Sequence, residues 1–378
     1  MQGIPLLVSI IIALVLARKF GIGISLLIAS LILGISTLGI SFELFRCYLQ
    51  IQSFEIMVIV FLTYSLANLM DKLGMLEKIS NSLNESFGLL SVALIPLVIG
   101  LIPMPAGALF SATMLIPVMK KSKISLEKLT VINYWFRHVW TPVWPLYPSV
   151  IIALAVLGIE YEEYLVVTIP ISLLSFIAGL TLLRGLGVTF RFGKMKEALL
   201  NIYPILVLLL IYLLTKNLLI AILISVVTVL VHRRAKTVDL IGVFRKSFEL
   251  RIFALVFAVM GYKNIIQSSN SANHLYNELS FMPVEVAVFI VSFLVGFTTG
   301  IEMSYSSISL PIFHEFAEKP ENLLLIISAG FFGVILSPFH LCYALTVEFF
   351  KANLNGCYKI LIKLVFPVLT TLCLISII

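Results

Sequence analysis

The chain has 378 residues, 60% of them hydrophobic and 12% charged, with a mean hydropathy of +1.11 and a net charge of +7. This composition excludes a soluble domain and predicts an all-α polytopic membrane protein whose main partner is the lipid bilayer. The basic excess sits in loops between apolar runs, where insertion bias places it, so no nucleic-acid partner is expected.

The first apolar run, IPLLVSIIIALVLA at 4–17, has no basic region before it and no small-residue cleavage site after it. It reads as a retained crossing helix and not as a signal peptide. Crossings follow at roughly 20–39 and 54–71, then an interrupted apolar pair at 89–119, a broken helix at 129–157 and a last helix at 164–184. A second set lies at roughly 201–215, 217–231, 250–266, 283–313, 322–350 and 357–378, and 71–88 and 232–249 read as polar connections. Cys47, Cys342, Cys357 and Cys373 lack metal-ligand or C-x-x-C spacing and read as ordinary small apolar residues; no metal site is expected.

The two sets are copies. YPILVLLLIYLLTKNLL at 203–219 resembles IPLLVSIIIALVLARKFG at 4–21, and the pairs Gly100/Gly296, Pro142/Pro338 and Tyr147/Tyr343 are each 196 residues apart. The chain divides into repeat 1 (1–185), a cytoplasmic linker (186–198) and repeat 2 (199–378). If each interrupted pair returns to its starting side, each repeat crosses five times and the second copy is inverted. Of the 26 Lys and Arg, 20 then share one face, Arg46, Lys216, Lys263 and Lys319 take the other, and Arg137 and Lys363 lie within helices. The basic face is therefore expected to be cytoplasmic, with both termini outside and the protein multi-pass in the cell (plasma) membrane.

Three interrupted segments carry the candidate chemistry. In LIPMPAGALFSATMLIPV (101–118), the arms flanking P-M-P-A-G extend roughly 22 Å and 18 Å at a helical rise, against a bilayer core of about 30 Å. Neither arm spans, which predicts a re-entrant hairpin with Pro103, Gly107 and Ser111 at an intramembrane tip; two short tilted crossings joined outside the bilayer are the alternative. The matching VGFTTGIEMSYSSISLP (295–311) places Thr298, Glu302 and Ser306 on one helical face, with Thr299 and Ser307 at its edge and Gly300 between. A carboxylate there is costly and predicts an ion or proton site, unless Glu302 is protonated or snorkels.

In VINYWFRHVWTPVWPLYPSV (131–150), Asn133, Arg137 and Thr141 share a face beside His138, with Arg137 roughly 13 Å into the helix. Arg137 either anchors an anionic substrate through its planar fork or pairs with a helix end. The matching segment, 327–343, offers His340 and Tyr343 but no arginine, so the site is expected to be asymmetric. Trp140, Trp144 and Tyr147 read as packing or interfacial anchors more readily than as pocket lining. H-E-F-A-E at 314–318 lacks the second histidine of a zinc motif, and G-x-x-x-x-G-K-[ST] and G-x-S-x-G are absent.

With IPMPAGALFSATMLIP, NYWFRHVWTPVWPLYPS and GFTTGIEMSYSSISLP in view, nearly the whole chain resembles an uncharacterised integral membrane family, of the domain-of-unknown-function type, placed within the ion transporter superfamily. That superfamily includes gluconate, citrate and dicarboxylate permeases, arsenite carriers and sodium/proton antiporters. The resemblance implies two hairpins whose tips meet two helix breaks, here Pro103 to Ser111, Thr141 to Tyr147, Gly296 to Ser307 and Ser337 to Tyr343. Neither tip has the Ser-Asn-Thr motif of the dicarboxylate branch. Superfamily members often form homodimers, although no interface is legible in these residues.

The expected function is secondary active transport of a small anionic solute, coupled to sodium or protons, by alternating access. Pro103, Gly107, Ser111, Asn133, Arg137, His138, Thr141, His340 and Tyr343 are the expected substrate residues; Thr298, Thr299, Gly300, Glu302, Ser306 and Ser307 the ion-coupling ones. No enzyme activity and no cofactor are expected, a bound sodium ion excepted. The alternatives are an intramembrane enzyme using His138, His340 and Glu302, which requires the three to converge, and a passive channel.

Overall fold

The structure is a computed structural model. It describes residues 3–104, 107–119, 124–187, 191, 195–232, 239–278 and 283–377, which are helices and their connections with no strand among them. Seven runs are long and apolar enough to cross a membrane: Phe42–Lys72, Met75–Ile99, Tyr161–Leu183, Met195–Thr215, Leu250–Ser268, Pro320–Phe350 and Leu354–Ser376. Large apolar side chains such as Val15, Val166, Leu214, Val231 and Phe366 point outward, as a lipid environment allows, while many serines are fully buried.

The first half runs α1 (Ile4–Phe20), α2 (Ile22–Leu38), α3 (Phe42–Tyr48), α4 (Ile51–Lys72) and α5 (Met75–Phe87). Gly88, at φ 54°, ends α5. The interrupted pair follows as α6 (Ser91–Ile99), α7 (Gly107–Met114) and α8 (Ile116–Met119), then the broken helix as α9 (Leu126–His138) and α10 (Pro148–Leu157), then α11 (Tyr161–Leu180). The second half repeats this order with α12 (Met195–Thr215), α13 (Leu218–His232), α14 (Leu240–Ser247), α15 (Leu250–Ser268), α16 (Ser271–Glu278) and α17 (Val284–Thr299). Its second hairpin arm is compound: α18 (Glu302–Ser304), a π turn over Tyr305–Ser309, and α19 (Leu310–Ile312). α20 (Pro320–Leu336) and α21 (Leu341–Phe350) form its broken helix, and α22 (Leu354–Ile377) closes the chain.

The stretches read as polar connections contain helices. In α5, Met75, Leu76, Ile79 and Leu83 are buried while Glu77, Lys78 and Asn81 face outward or sit at the edge; in α14, Val243 and Ser247 are the buried pair. Both are amphipathic helices whose average polarity hides a 3.6-residue stripe.

Neighbour relations in one half reappear in the other. α2 packs on α15 as α13 packs on α4, α5 meets α12 as α16 meets α1, and α6 lies on α9 as α17 lies on α20. The second arm of each hairpin crosses over: α7 packs on α21, and the π turn packs on α10. Glycines set the closest of these approaches, since a Cβ on Gly296 would overlap the Gly330 carbonyl oxygen and one on Gly333 would overlap that of Phe293. The segment after α6 is hydrogen-bonded to the break after α9, and the end of α17 to the break after α20.

Candidate functional site

The first tip follows the end of α6, where a helix leaves carbonyls without intrahelical partners. Side chains from α9 and the break after it supply the donors. Arg137 Nη1 donates to the Ile99 carbonyl at 2.8 Å and Nη2 reaches that of Ile102 at 3.5 Å. Trp140 Nε1 donates to Leu97 O at 3.1 Å, Trp144 Nε1 to Leu101 O at 2.7 Å, and the Tyr147 hydroxyl to Gly100 O at 2.7 Å. Arg137, 3% exposed, therefore places its cation against a helix C-terminus, where the dipole favours it. Of the two roles open to Arg137 in the sequence, this contact is the helix-end pairing.

Other expected substrate residues also hold the first hairpin. Ser111 Oγ donates to Asn133 Oδ1 at 2.7 Å, and Asn133 Nδ2 donates to Ala108 O at 2.8 Å, stitching α7 to α9. Pro103 is buried at the tip, and Gly107 lies under the Arg137 guanidinium, which a Cβ would displace. Thr141 Oγ1 donates to the His138 carbonyl at 2.8 Å, in the first turn of the break.

The second tip satisfies itself largely with hydroxyls. Thr299 Oγ1 lies 2.7 Å from both Val295 O and Ser304 Oγ, Ser304 Oγ donates to Ile301 O at 2.6 Å, and Ser337 Oγ donates to Phe297 O at 2.6 Å. Gly300 is left-handed (φ 63°, ψ 22°) and Ile301 extended, so the helix does not run through. The single face expected for Thr298, Glu302 and Ser306 is thus divided by a turn. Thr298, half-buried, bonds back to Leu294 O on α17, whereas Glu302 begins the next arm. Within that arm Ser307 donates to Met303 O, while the buried hydroxyls of Ser306 and Ser309 have no hydrogen-bond partner among the described residues. Both lie in the π turn, a distortion frequent at functional sites.

Between tips and breaks, three expected residues meet. His138 Nε2 lies 3.1 Å from His340 Nε2 and 3.4 Å from Glu302 Oε1. His138 Nδ1 is 2.6 Å from Tyr134 O, and His340 Nδ1 is 2.7 Å from Gly300 O. The two imidazoles come from non-equivalent places in the halves, since the counterpart of His340 at the 196-residue spacing is Trp144. Tyr134 packs against both rings and against Tyr343, with centroids 4.6, 5.5 and 5.1 Å away. Cys342 also belongs here: the ligand atoms of His138, His340 and Cys342 all lie within 4.8 Å of one another. Sequence spacing missed Cys342 because its partner His138 lies in the other half of the chain; only its place two residues after His340 hinted at it.

The cluster is not sealed. His138 is 3% exposed, yet the Glu302 side chain is 18% exposed, Cys342 is half-buried, and Phe339 and Leu341 beside them stand open. A separate cavity of about 580 Å³ lies between the end of α10 and the start of α20, lined by Glu162, Glu163, His314 and Glu318 among apolar residues.

Compared with known proteins, residues 2–378 match a family described as a protein of unknown function, DUF401. No curated protein matches the chain.

Proposed function

The chain belongs to the DUF401 family, whose description assigns no activity, and from the geometry of its site we propose that it is a secondary active transporter. It moves a small anionic solute, coupled to protons or sodium, by exposing a site between two re-entrant hairpins to each side in turn. The observation that carries the reading is the meeting of the turn at Gly300 and Glu302 with both interrupted helices at His138 and His340, next to Arg137, which holds the end of α6. Irregular backbone inside a membrane is tolerated where protein or a watery cavity surrounds it, and transporters use such places for binding. The exchanged packing of the halves supports two inverted repeats; α7 by itself is too short to cross, while α6 is the apolar end of the longer run Met75–Ile99.

In this reading Arg137 holds the first tip in shape and adds positive potential there, so the solute meets its charge without displacing its carbonyl partners. The two candidate coupling cations have different seats. Imidazole and carboxylate at His138, His340 and Glu302 suit a proton, whereas the unpartnered hydroxyls of Ser306 and Ser309 beside π-turn carbonyls suit sodium, which prefers oxygen. The test is purified protein in liposomes holding a pH-sensitive dye, challenged with a panel of carboxylates and oxyanions with and without sodium. Proton coupling predicts solute-dependent acidification that His340→Gln removes; sodium coupling predicts sodium-dependent uptake that Ser306→Ala removes. Absence of gradient-driven movement for every member of the panel would count against transport.

An intramembrane enzyme remains a second reading because its required convergence is met, with the Cys342 thiol within reach of both imidazoles as a nucleophile. Cys342→Ser tests this reading, since it ends any catalysis that uses the thiolate.

A further inference from the structure

We propose that His138, His340 and Cys342 form a binding site for a divalent transition-metal ion of the zinc class, with a fourth position open to solvent or solute and the Glu302 carboxylate beside His138 as a nearby counter-charge. A carbonyl oxygen only accepts hydrogen bonds, so the contacts to Tyr134 O and Gly300 O place the proton of each imidazole on Nδ1. Both Nε2 atoms then present lone pairs, and they face each other at 3.1 Å. Two lone pairs at that distance repel unless a cation lies between them. The spacing suits a metal: nitrogens bound to zinc at tetrahedral angles sit about 3.3 Å apart, and a nitrogen and a carboxylate oxygen about the same. The observed separation is 3.1 Å for His138 to His340, while Glu302 approaches His138 alone, at 3.4 Å, and stays outside the group of mutually close ligand atoms.

The surroundings fit as well. A metal-bound histidine characteristically donates its other ring N–H to a carbonyl or carboxylate, as both do here. Nitrogen and sulfur donors select d-block ions over sodium, magnesium or calcium. Cys342 lies within 4.8 Å of both imidazole nitrogens, and a side-chain adjustment brings Sγ to the roughly 3.5 Å edge of a tetrahedron. Binding releases the Cys342 thiol proton, and the resulting thiolate with the Glu302 carboxylate neutralises a divalent ion, as an apolar setting requires. The half-buried Cys342 and partly exposed Glu302 supply the way in.

This inference goes beyond the transport reading and is tested without it. Purified full-length chain in detergent is titrated with Co2+ and then with Zn2+. The expected result is one equivalent of Co2+ per chain, with a thiolate-to-cobalt charge-transfer band that Zn2+ abolishes. Cys342→Ser removes that band and keeps the visible cobalt absorption; His340→Gln weakens binding at least about 100-fold. Serine at Cys47, Cys357 and Cys373 together leaves the spectrum unchanged. Cys342→Ser is the decisive variant, because an exchange of similar size at a half-buried position leaves the fold intact. The proposal is overturned if wild-type chain takes up no stoichiometric Co2+, in which case a shared proton occupies the lone pairs, or if Cys342→Ser gives the wild-type spectrum.

Discussion

At the scale of single residues, Arg137 couples site and scaffold. Its guanidinium bridges the carbonyls of Ile99 and Ile102 from a position 3% exposed, and Gly107 leaves the room it occupies. Arg137→Ala strands two buried acceptors and is expected to cost about 2–4 kcal/mol, read as a lowered thermal midpoint in detergent. Gly107→Ala should destabilise the wild type by pushing the guanidinium off Ile102, yet cost little once Arg137 is alanine. A double-mutant cycle measures that coupling, and simple additivity would refute the contact.

At the scale of elements, the contact of α17 with α20 rests on backbone proximity. A methyl group on Gly296 meets the Gly330 carbonyl, which cannot swing aside as a side chain can. Gly296→Ala is therefore expected to destabilise by about 1–3 kcal/mol and to open the second hairpin to protease, while Gly187→Ala, which meets nothing within 4 Å, is neutral. Much at this scale was legible in the sequence, because prolines and glycines at 100–107, 142–148, 296–300 and 338 interrupt apolar runs that otherwise continue. Convergence of tips and breaks was legible only as an implication of family resemblance. Residue roles were less legible: Trp140, Trp144 and Tyr147 serve as donors to carbonyls of the first tip, and no local pattern announces a donor whose acceptor lies 43 or 47 residues away. The turn at Gly300 and Ile301 likewise overrode the helical spacing of Thr298 and Glu302, because Gly300 adopts the left-handed conformation that stops α17.

At the scale of the whole molecule, the halves are interlocked through α2 with α15 and α4 with α13, so neither completes its packing alone. Residues 1–187 expressed by themselves are expected to be degraded, and co-expression with the remainder to restore both pieces; a stable, folded first half would contradict this. Charge should set orientation, so a cysteine replacing Ser125 should label from the cytoplasmic side and one replacing Glu160 from the outside. The central claim is that one site between the hairpins faces each side in turn, and native Cys342 reports on it directly. With Cys47, Cys357 and Cys373 replaced by serine, a membrane-impermeant thiol reagent is applied to right-side-out and to inside-out vesicles. Alternating access predicts that Cys342 is modified from either side, whereas modification from one side only, whatever solutes and gradients are imposed, would contradict the account.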